Sequence, residues 1–284
     1  MYFIRKIIPN FVLGKIRDIV RLGYIPKIED PKTFNEKIRN RMRYNNSSIF
    51  SICSDKIKVR DYVKSKGLDE ILIPLIDVWP QGQNIDKDMI TPPCVLKANH
   101  NSGPVFIVNN KEEITNSIVS NLNTQLKDNY GIVNGEKWYS NIIPQLFSEK
   151  LLIDDSGSIP EDYKFHVFNN KGNFDIIIQV DFDRFKNHAR CIYDEELKIL
   201  PFGILYPASN KKINPPKNFE KMKEYAKKLA EDFNYVRVDL YNVNGKIYFG
   251  ELTFGHGAGL EPFYPHKFDL FMGQKWIMDS EGQY

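Results

Sequence analysis

The chain has 284 residues, 42% of them hydrophobic and 26% charged, and its 39 Lys and Arg exceed its 36 Asp and Glu by three. That length holds one large domain or two modest ones, and so small a net charge leaves no electrostatic footprint for nucleic acid. The three cysteines, Cys53, Cys94 and Cys191, stand far apart and in odd number, which speaks against a disulfide framework or a zinc site and makes a reducing cytoplasm the default setting.

No uninterrupted apolar run approaches the ~20 residues needed to span a bilayer. The opening "MYFIRKIIPNFVLGKIRDIV" is broken by Arg, Lys, Pro and Asn, unlike a signal peptide. Its Phe3, Ile4, Ile7, Ile8, Phe11 and Val12 in a basic remainder suit packing of an N-terminal helix on its domain, or contact with an acidic membrane surface.

Residues 33 to 66 mix charged and apolar residues at helical spacing, with Ser54 or Asp55 placed to cap a second helix. "KGLDEILIPLIDVW" is a helix end running into a strand. "CVLKANHNSGPVFIVNN" reads as strand, small-residue loop and strand, and "KEEITNSIVSNLNTQLKDN" has helical periodicity. Further on come an extended "IIPQLFSEKLLI", a hairpin "DYKFHVFNNKGNFDIIIQVDF" turning at Asn169 to Gly172, and an extended pair "CIYDEELKILPF". An amphipathic helix "NFEKMKEYAKKLAEDF" precedes a last hairpin. Strands and helices mix without regular alternation, so the expected class is α+β rather than a doubly wound sheet.

The last hairpin, "VRVDLYNVNGKIYFGELTFGHGAG", carries the most chemistry. A two-residue Asn-Gly turn pairs Val243 with Lys246 and sends Asp239 and Glu251 to opposite faces. A three-residue loop, Val243 to Gly245, pairs Asn242 with Lys246 and brings Arg237, Asp239, Glu251 and Thr253 to one face. Matching of the apolar faces favours the three-residue loop. Asp239 and Glu251 are then diagonal neighbours, close enough to share a cation. An ordinary cross-strand ion pair on a surface hairpin contains the same residues.

Earlier, "VLKANHNSGPVFIV" sets Lys97 before a loop of Asn99, Asn101, Ser102 and Gly103. Backbone N–H groups beside an ammonium suit a phosphate, but the spacing is not that of a Walker loop. Lys56 in "SDKIKVRDYV", the segment "SEKLLI", and Asp162 and Lys164 in "EDYKF" are individually solvated charges at first sight.

Taken in order, "TFNEKI", "DKIKVRDYV", "IPLIDVW", "VLKANHNSG", "DYKFHVFN", "DRFKNH", "RVDLYNVNGKIYFGELTF" and "EPFYP" resemble the TupA-like ATP-grasp group associated with bacterial polysaccharide clusters. The resemblance covers nearly the whole chain from about residue 30. It implies two α+β subdomains clasping ATP behind a helical lead-in, with expected boundaries at 1–85, 86–150 and 151–284.

The resemblance further implies that Lys56 and Lys97 hold the ATP phosphates with Ser102 and Gly103 of the loop. Glu149, Lys150, Leu151 and Leu152 would border adenine and Asp162 would hold the ribose. Asp239 and Glu251 match magnesium ligands, with Thr253 where many relatives have Asn; Arg237 matches the arginine that steadies the transferring phosphoryl group. Arg184, His188, His256 and Lys164 are candidates for contact with the acceptor carboxylate or the amine.

The implied activity is an ATP- and Mg²⁺-dependent carboxylate–amine ligase working through an acyl phosphate. By analogy alone it would join an amino acid or amino alcohol to a uronic acid in capsule or O-antigen assembly, in the cytoplasm and at the inner membrane face if the N-terminus binds lipid. A sugar kinase and a polysaccharide glycosyltransferase are the alternatives, the latter disfavoured because the Lys97 loop and the Asp239–Glu251 pair suit ATP and a metal; a catalytically dead carbohydrate-binding scaffold is argued against by intact Lys56, Lys97, Asp239 and Glu251.

Overall fold

The computed structural model describes residues 10–45, 47–182 and 189–278. In chain order the elements are α1 (Asn10–Leu22), α2 (Phe34–Tyr44), α3 (Ser48–Ser54), α4 (Val59–Ser65), β1 (Leu75–Val78), β2 (Cys94–Ala98), β3 (Phe106–Val108), α5 (Asn116–Gln125), α6 (Tyr130–Asn134), β4 (Leu146–Lys150), β5 (Asp162–Asn170), β6 (Asn173–Phe182), β7 (Ala189–Tyr193), β8 (Gly203–Ile204), α7 (Phe219–Leu229), β9 (Tyr235–Val243), β10 (Lys246–Thr253), β11 (Phe263–Tyr264) and α8 (Lys267–Lys275). Every strand ladder is antiparallel, which establishes the expected α+β class.

Two sheets carry the fold. One has the order β1-β4-β2-β3 and the other β10-β9-β5-β6-β7. The four-stranded sheet packs its buried Cys94, Leu96, Val108 and Leu146 with Leu122 of α5 and with Trp79. The five-stranded sheet lies between α7 and α2. On one face Phe219 of α7 packs near Phe165, fed by the i, i+3, i+7 row Phe219, Met222 and Ala226. On the other, Phe34 of α2 sits among His166, Tyr235 and His256.

The helical lead-in is therefore not a layer apart. Phe34, Ile38, Met42, Phe50, Val59 and Val63 share one core with the five-stranded sheet, while β1, also within 1–85, belongs to the four-stranded one. Helix α2 starts where it does because Thr33 accepts from the Glu36 N–H and Glu36 reaches back to the Thr33 N–H, a reciprocal cap. The Asp55 carboxylate takes the N–H groups of Ile57 and Lys58 and so shapes the turn into α4, whereas Ser54 ends α3.

The last hairpin corrects the expected register. Val243 pairs with Lys246 across a two-residue turn, with Asn244 at φ 54° and Gly245 at φ 93°, the left-handed pair that a twisted hairpin favours. Pairing runs regularly to Phe249 opposite Leu240, and then Glu251, not Gly250, stands opposite Asp239. Gly250 is a bulge. It changes the parity of β10, so that Ile247, Phe249 and Leu252 all reach the core while Glu251 and Thr253 share the face of Asp239 and Arg237. The grouping expected from a three-residue loop is present, but a bulge produces it.

A side chain at Gly250 would start 3.0 Å from the Asp239 carbonyl and 3.2 Å from the Tyr241 ring. Gly250→Val should lower unfolding free energy by about 1–3 kcal/mol, the scale of overpacking at a tight site, measured by denaturant titration. A variant as stable as the parent would mean that the bulge has room the structure does not show.

Candidate functional site

The inner face of the five-stranded sheet is polar at its centre. Register places Lys164 beside Asp239 and Gln179, and Asp162 beside Tyr241 and Asp181, so that alternate positions of three adjacent strands converge. Arg237 is the hub. Its Nε and Nη2 donate to the two oxygens of Asp239, each at 2.7 Å; Nη2 also donates to Glu251 Oε1 at 2.8 Å, and Nη1 lies 2.9 Å from His256 Nδ1. Lys164 Nζ donates to Asp239 Oδ2 at 2.7 Å and also to Asp162. Thr253 donates its hydroxyl to Glu251 Oε1 at 3.1 Å.

The charges are strongly mutually dependent. Burial alone would push the Asp239 carboxyl up, but Arg237 and then Lys164 outweigh it and hold the group down at about 2. Burial likewise works against the charge of Lys164, and Asp162 and Asp239 more than offset it, leaving its pKa raised. Lys164 and His256 are both nearly closed to solvent. Lys164 faces the hairpin carboxylates and His256 backs Arg237, so neither side chain stands free toward solvent. Arg184 and His188 lie outside the described residues.

Across from this face stands the loop after β2. Lys97 donates to Glu149, and Lys56 donates to the Asn101 carbonyl. Burial lowers the Lys56 pKa, Glu251 raises it and Lys97 lowers it further, which brings both ammonium groups and the hairpin carboxylate within electrostatic reach of one another. Asn99 and Asn101 are anchors rather than a cradle. Asn99 donates to Asp55 and to the Ile143 carbonyl and accepts from the Gln145 N–H; Asn101 donates to Gln125 and accepts from the Gly103 N–H. Ser102 remains exposed and Gly103 half-buried.

At the end of β4, Glu149 is occupied by Lys97 and Lys150 is exposed. Leu151 is half-buried, and Leu152 packs with Ile73 and Tyr248, with Tyr241 and Val243 against them. This apolar cluster joins the two sheets and offers the kind of wall against which a planar base packs.

One buried acid escaped the sequence reading. Glu136, between α6 and β4, is 5% exposed, and its carboxylate presses on Gly255, where a Cβ would stand 2.4 Å from Oε2. Burial, then the charge of Glu251, pushes its carboxyl up to about 8 against the pull of Arg237. Nothing local in "VNGEKWYSN" announces this, because apart from a hydrogen bond with Tyr130 the neighbours that matter, Arg237, Glu251 and Gly255, are more than 100 positions away.

For a divalent cation the donor set is all oxygen: Asp239, Glu251 and the Thr253 hydroxyl. Among the described residues no three His, Cys, Asp or Glu side chains gather into a metal cage. Two carboxylates nevertheless suit Mg²⁺, which keeps several waters and takes further ligands from substrate phosphates. The residues present fit that ion in company with a polyphosphate.

A family model described as TupA-like ATPgrasp matches residues 36–277. Comparison with curated proteins found no match. Among solved structures, the D-alanine–D-alanine ligase of Helicobacter pylori aligns at 15% identity and TM-score 0.45, over 80% of this chain and 61% of its own. The Bacillus anthracis D-alanine–D-alanine ligase complexed with ATP aligns at 17% and 0.43, over 79% and 66%. An ADP complex of N5-carboxyaminoimidazole ribonucleotide synthetase aligns at 14% and 0.40, over 72% and 46%. The chain thus spans less than two thirds of each of these structures.

The buried Glu136 yields a pH signature. Its folded-state pKa of about 8 lies above the ordinary ~4.3 of an unfolded Glu, so the linked stability is full below that ordinary value and is lost as pH rises through about 8. Glu136→Gln carries no such proton. Relative to the variant, the parent's melting temperature should fall across roughly pH 5 to 9; parallel curves would mean that Glu136 is already ionised when folded.

Proposed function

This chain belongs to the TupA-like ATP-grasp family, matched over residues 36–277, and on that premise we propose that it is an ATP- and Mg²⁺-dependent carboxylate–amine ligase. The observation that carries the proposal is the convergence of Arg237, Asp239 and Glu251 on one buried sheet face, within electrostatic reach of Lys56.

In this reading Lys56 and Lys97 bind the triphosphate beside the Ser102–Gly103 turn. Glu149 to Leu152 border adenine, and Asp162 takes the ribose. Asp239 and Glu251, with Thr253, hold magnesium, which when bound neutralises charge on the phosphate oxygens. Arg237 keeps a fixed guanidinium where negative charge develops on the transferring phosphoryl group, and such preorganised donors lower the barrier without reorganising during the reaction. The carboxylate oxygen of the acid attacks the γ-phosphorus and ADP leaves. The amine then forms the C–N bond as the C–O bond to phosphate breaks and the nitrogen gives up its proton. Lys164 bridges Asp162 and Asp239 and offsets the repulsion between their like charges, and Arg184 is assigned to the acceptor.

The acid is proposed to be a uronic acid and the amine an amino acid or amino alcohol, in capsule or O-antigen synthesis. The proposed setting is the cytoplasm, at the inner face of the membrane. No helix among the described residues is long and apolar enough to cross a bilayer. Support for surface contact comes from α1, which leaves Ile16, Ile19 and Val20 at 47%, 37% and 77% exposure beside exposed Arg17 and Arg21, an arrangement that suits an anionic interface.

Incubation with ATP, Mg²⁺ and a pool of sugar acids should yield a hydroxamate when hydroxylamine is present. ADP with a stable phosphorylated sugar would instead identify a kinase. Asp239→Asn and Glu251→Gln should each abolish ATP turnover with the fold intact; near-native activity in either would overturn the metal assignment. Sedimentation with vesicles rich in anionic lipid should capture the protein, and Ile16→Ser/Val20→Ser should release it, whereas equal recovery with neutral and anionic vesicles would remove the membrane assignment.

A further inference from the structure

Of the segments that carry the family resemblance, "EPFYP" has no role in the reading above. Its Glu261 lies behind the site rather than in it. Glu261 Oε2 accepts from Arg190 Nη1 at 3.0 Å and stands 3.1 Å from His256 Nε2, a charge contact whose angle falls short of a hydrogen bond. Arg190 in turn grips Asp181 through Nε at 2.7 Å and donates to the Ile204 carbonyl at 3.2 Å, and Gln179 donates to the same Asp181. The carboxylate is thereby pinned from β6 and β7. Gly257 permits the approach, since a Cβ there would stand 2.3 Å from Glu261 Cγ.

The proton on His256 follows from donor and acceptor chemistry. A guanidinium has no acceptor, so in the 2.9 Å contact Arg237 Nη1 donates and His256 Nδ1 accepts. A neutral ring that accepts at Nδ1 carries its hydrogen on Nε2, the nitrogen that faces Glu261. The two opposed guanidinium groups and burial beside Phe34 and His166 keep the ring neutral. A line of groups of fixed polarity results, running Asp181, Arg190, Glu261, His256, Arg237 and Asp239.

We propose that Glu261 is a positioning residue that orients His256 with Nδ1 toward Arg237, giving the guanidinium an anchor independent of Asp239 and Glu251. The independence matters because Asp239 and Glu251 are the groups that a metal–triphosphate recruits. When their oxygens turn to that ligand, His256 is the contact that leaves Arg237 in place. The consequence for turnover rests on the ligase reading; the orientation itself does not.

The test uses the full-length protein labelled with ¹⁵N in histidine and arginine. Long-range ¹H–¹⁵N spectra should show His256 with a bare Nδ1 and a protonated Nε2, and a protonated Nδ1 overturns the proposal without any variant or substrate. Glu261→Gln should then speed solvent exchange of the Arg237 Nε–H and lower turnover by roughly tenfold, the scale on which outer partners of a functional histidine act, with little change in the KM for ATP. In a His256→Asn background, whose amide oxygen accepts from Arg237 without help, Glu261→Gln should add no further loss. Equal losses in both backgrounds would show that Glu261 only neutralises Arg190. The exchange measurement reads Arg237 directly, so a protein without ligase activity still decides the matter.

Discussion

One guanidinium organises the polar centre of this molecule. Arg237 meets two carboxylates and an imidazole at 2.7–2.9 Å at a position 9% exposed, where an unpaired charge would cost several kcal/mol. The charge is tolerable because every neighbour complements it. Asp239 is shared between Arg237 and Lys164, Lys164 is shared between Asp239 and Asp162, and no member of the group can be removed without leaving another exposed to the low dielectric. Breaking such a group is expensive even where building it adds little net stability, so its presence on a sheet face points to function rather than to folding.

The placement of that group depends on a backbone irregularity. Strand periodicity assigns each residue of β9 to a face correctly, because the buried Val236, Val238 and Leu240 alternate without interruption. In β10 the alternation changes parity at Gly250, and a rule of strict alternation assigns the wrong turn while recovering the right face. The Asn-Gly dipeptide is by itself a two-residue turn signal, and the glycine inside the strand is a bulge signal. Each is legible alone; joining them requires knowing that Glu251 must face Asp239. The hairpin of β5 and β6, with no bulge, is readable from its pattern, although its turn is Lys171–Gly172 and the expected turn residues Asn169 and Asn170 still pair within the strand.

Other parts of the site had no local signature. Glu136 and Arg190 lie outside every segment that carries the family resemblance and Glu261 lies in "EPFYP" without a role legible there, so their meaning comes from contacts such as Arg190–Glu261, 71 positions apart. Asn99 and Asn101 had the opposite difficulty. Their composition suggested a phosphate loop, yet burial and hydrogen bonds of their side chains to Asp55, Gln125 and the N–H groups of Gln145 and Gly103 make them the struts of that loop. Residue type indicated polarity, but which atoms face a ligand and which hold the scaffold is settled only by tertiary packing.

The struts also explain how two sheets with separate cores keep one geometry. The segment between α3 and α4 belongs by packing to the five-stranded sheet, through Phe50, Cys53, Val59 and Val63. Its polar groups, however, reach the other sheet: the Lys56 N–H donates to the Asn99 carbonyl at 3.1 Å, and Asp55 accepts from the Asn99 amide at 3.0 Å. Buried hydrogen bonds of this kind carry a geometric requirement that apolar contact lacks, since displacing either partner strands a polar atom away from water. Lys56 is therefore positioned by both halves of the molecule at once. Its ammonium stands over the β2 loop because of Asn99 and Asn101, and within reach of Glu251 because α3 packs on the core beneath that strand. A displacement of one sheet against the other would be felt first at this junction, before it altered either core.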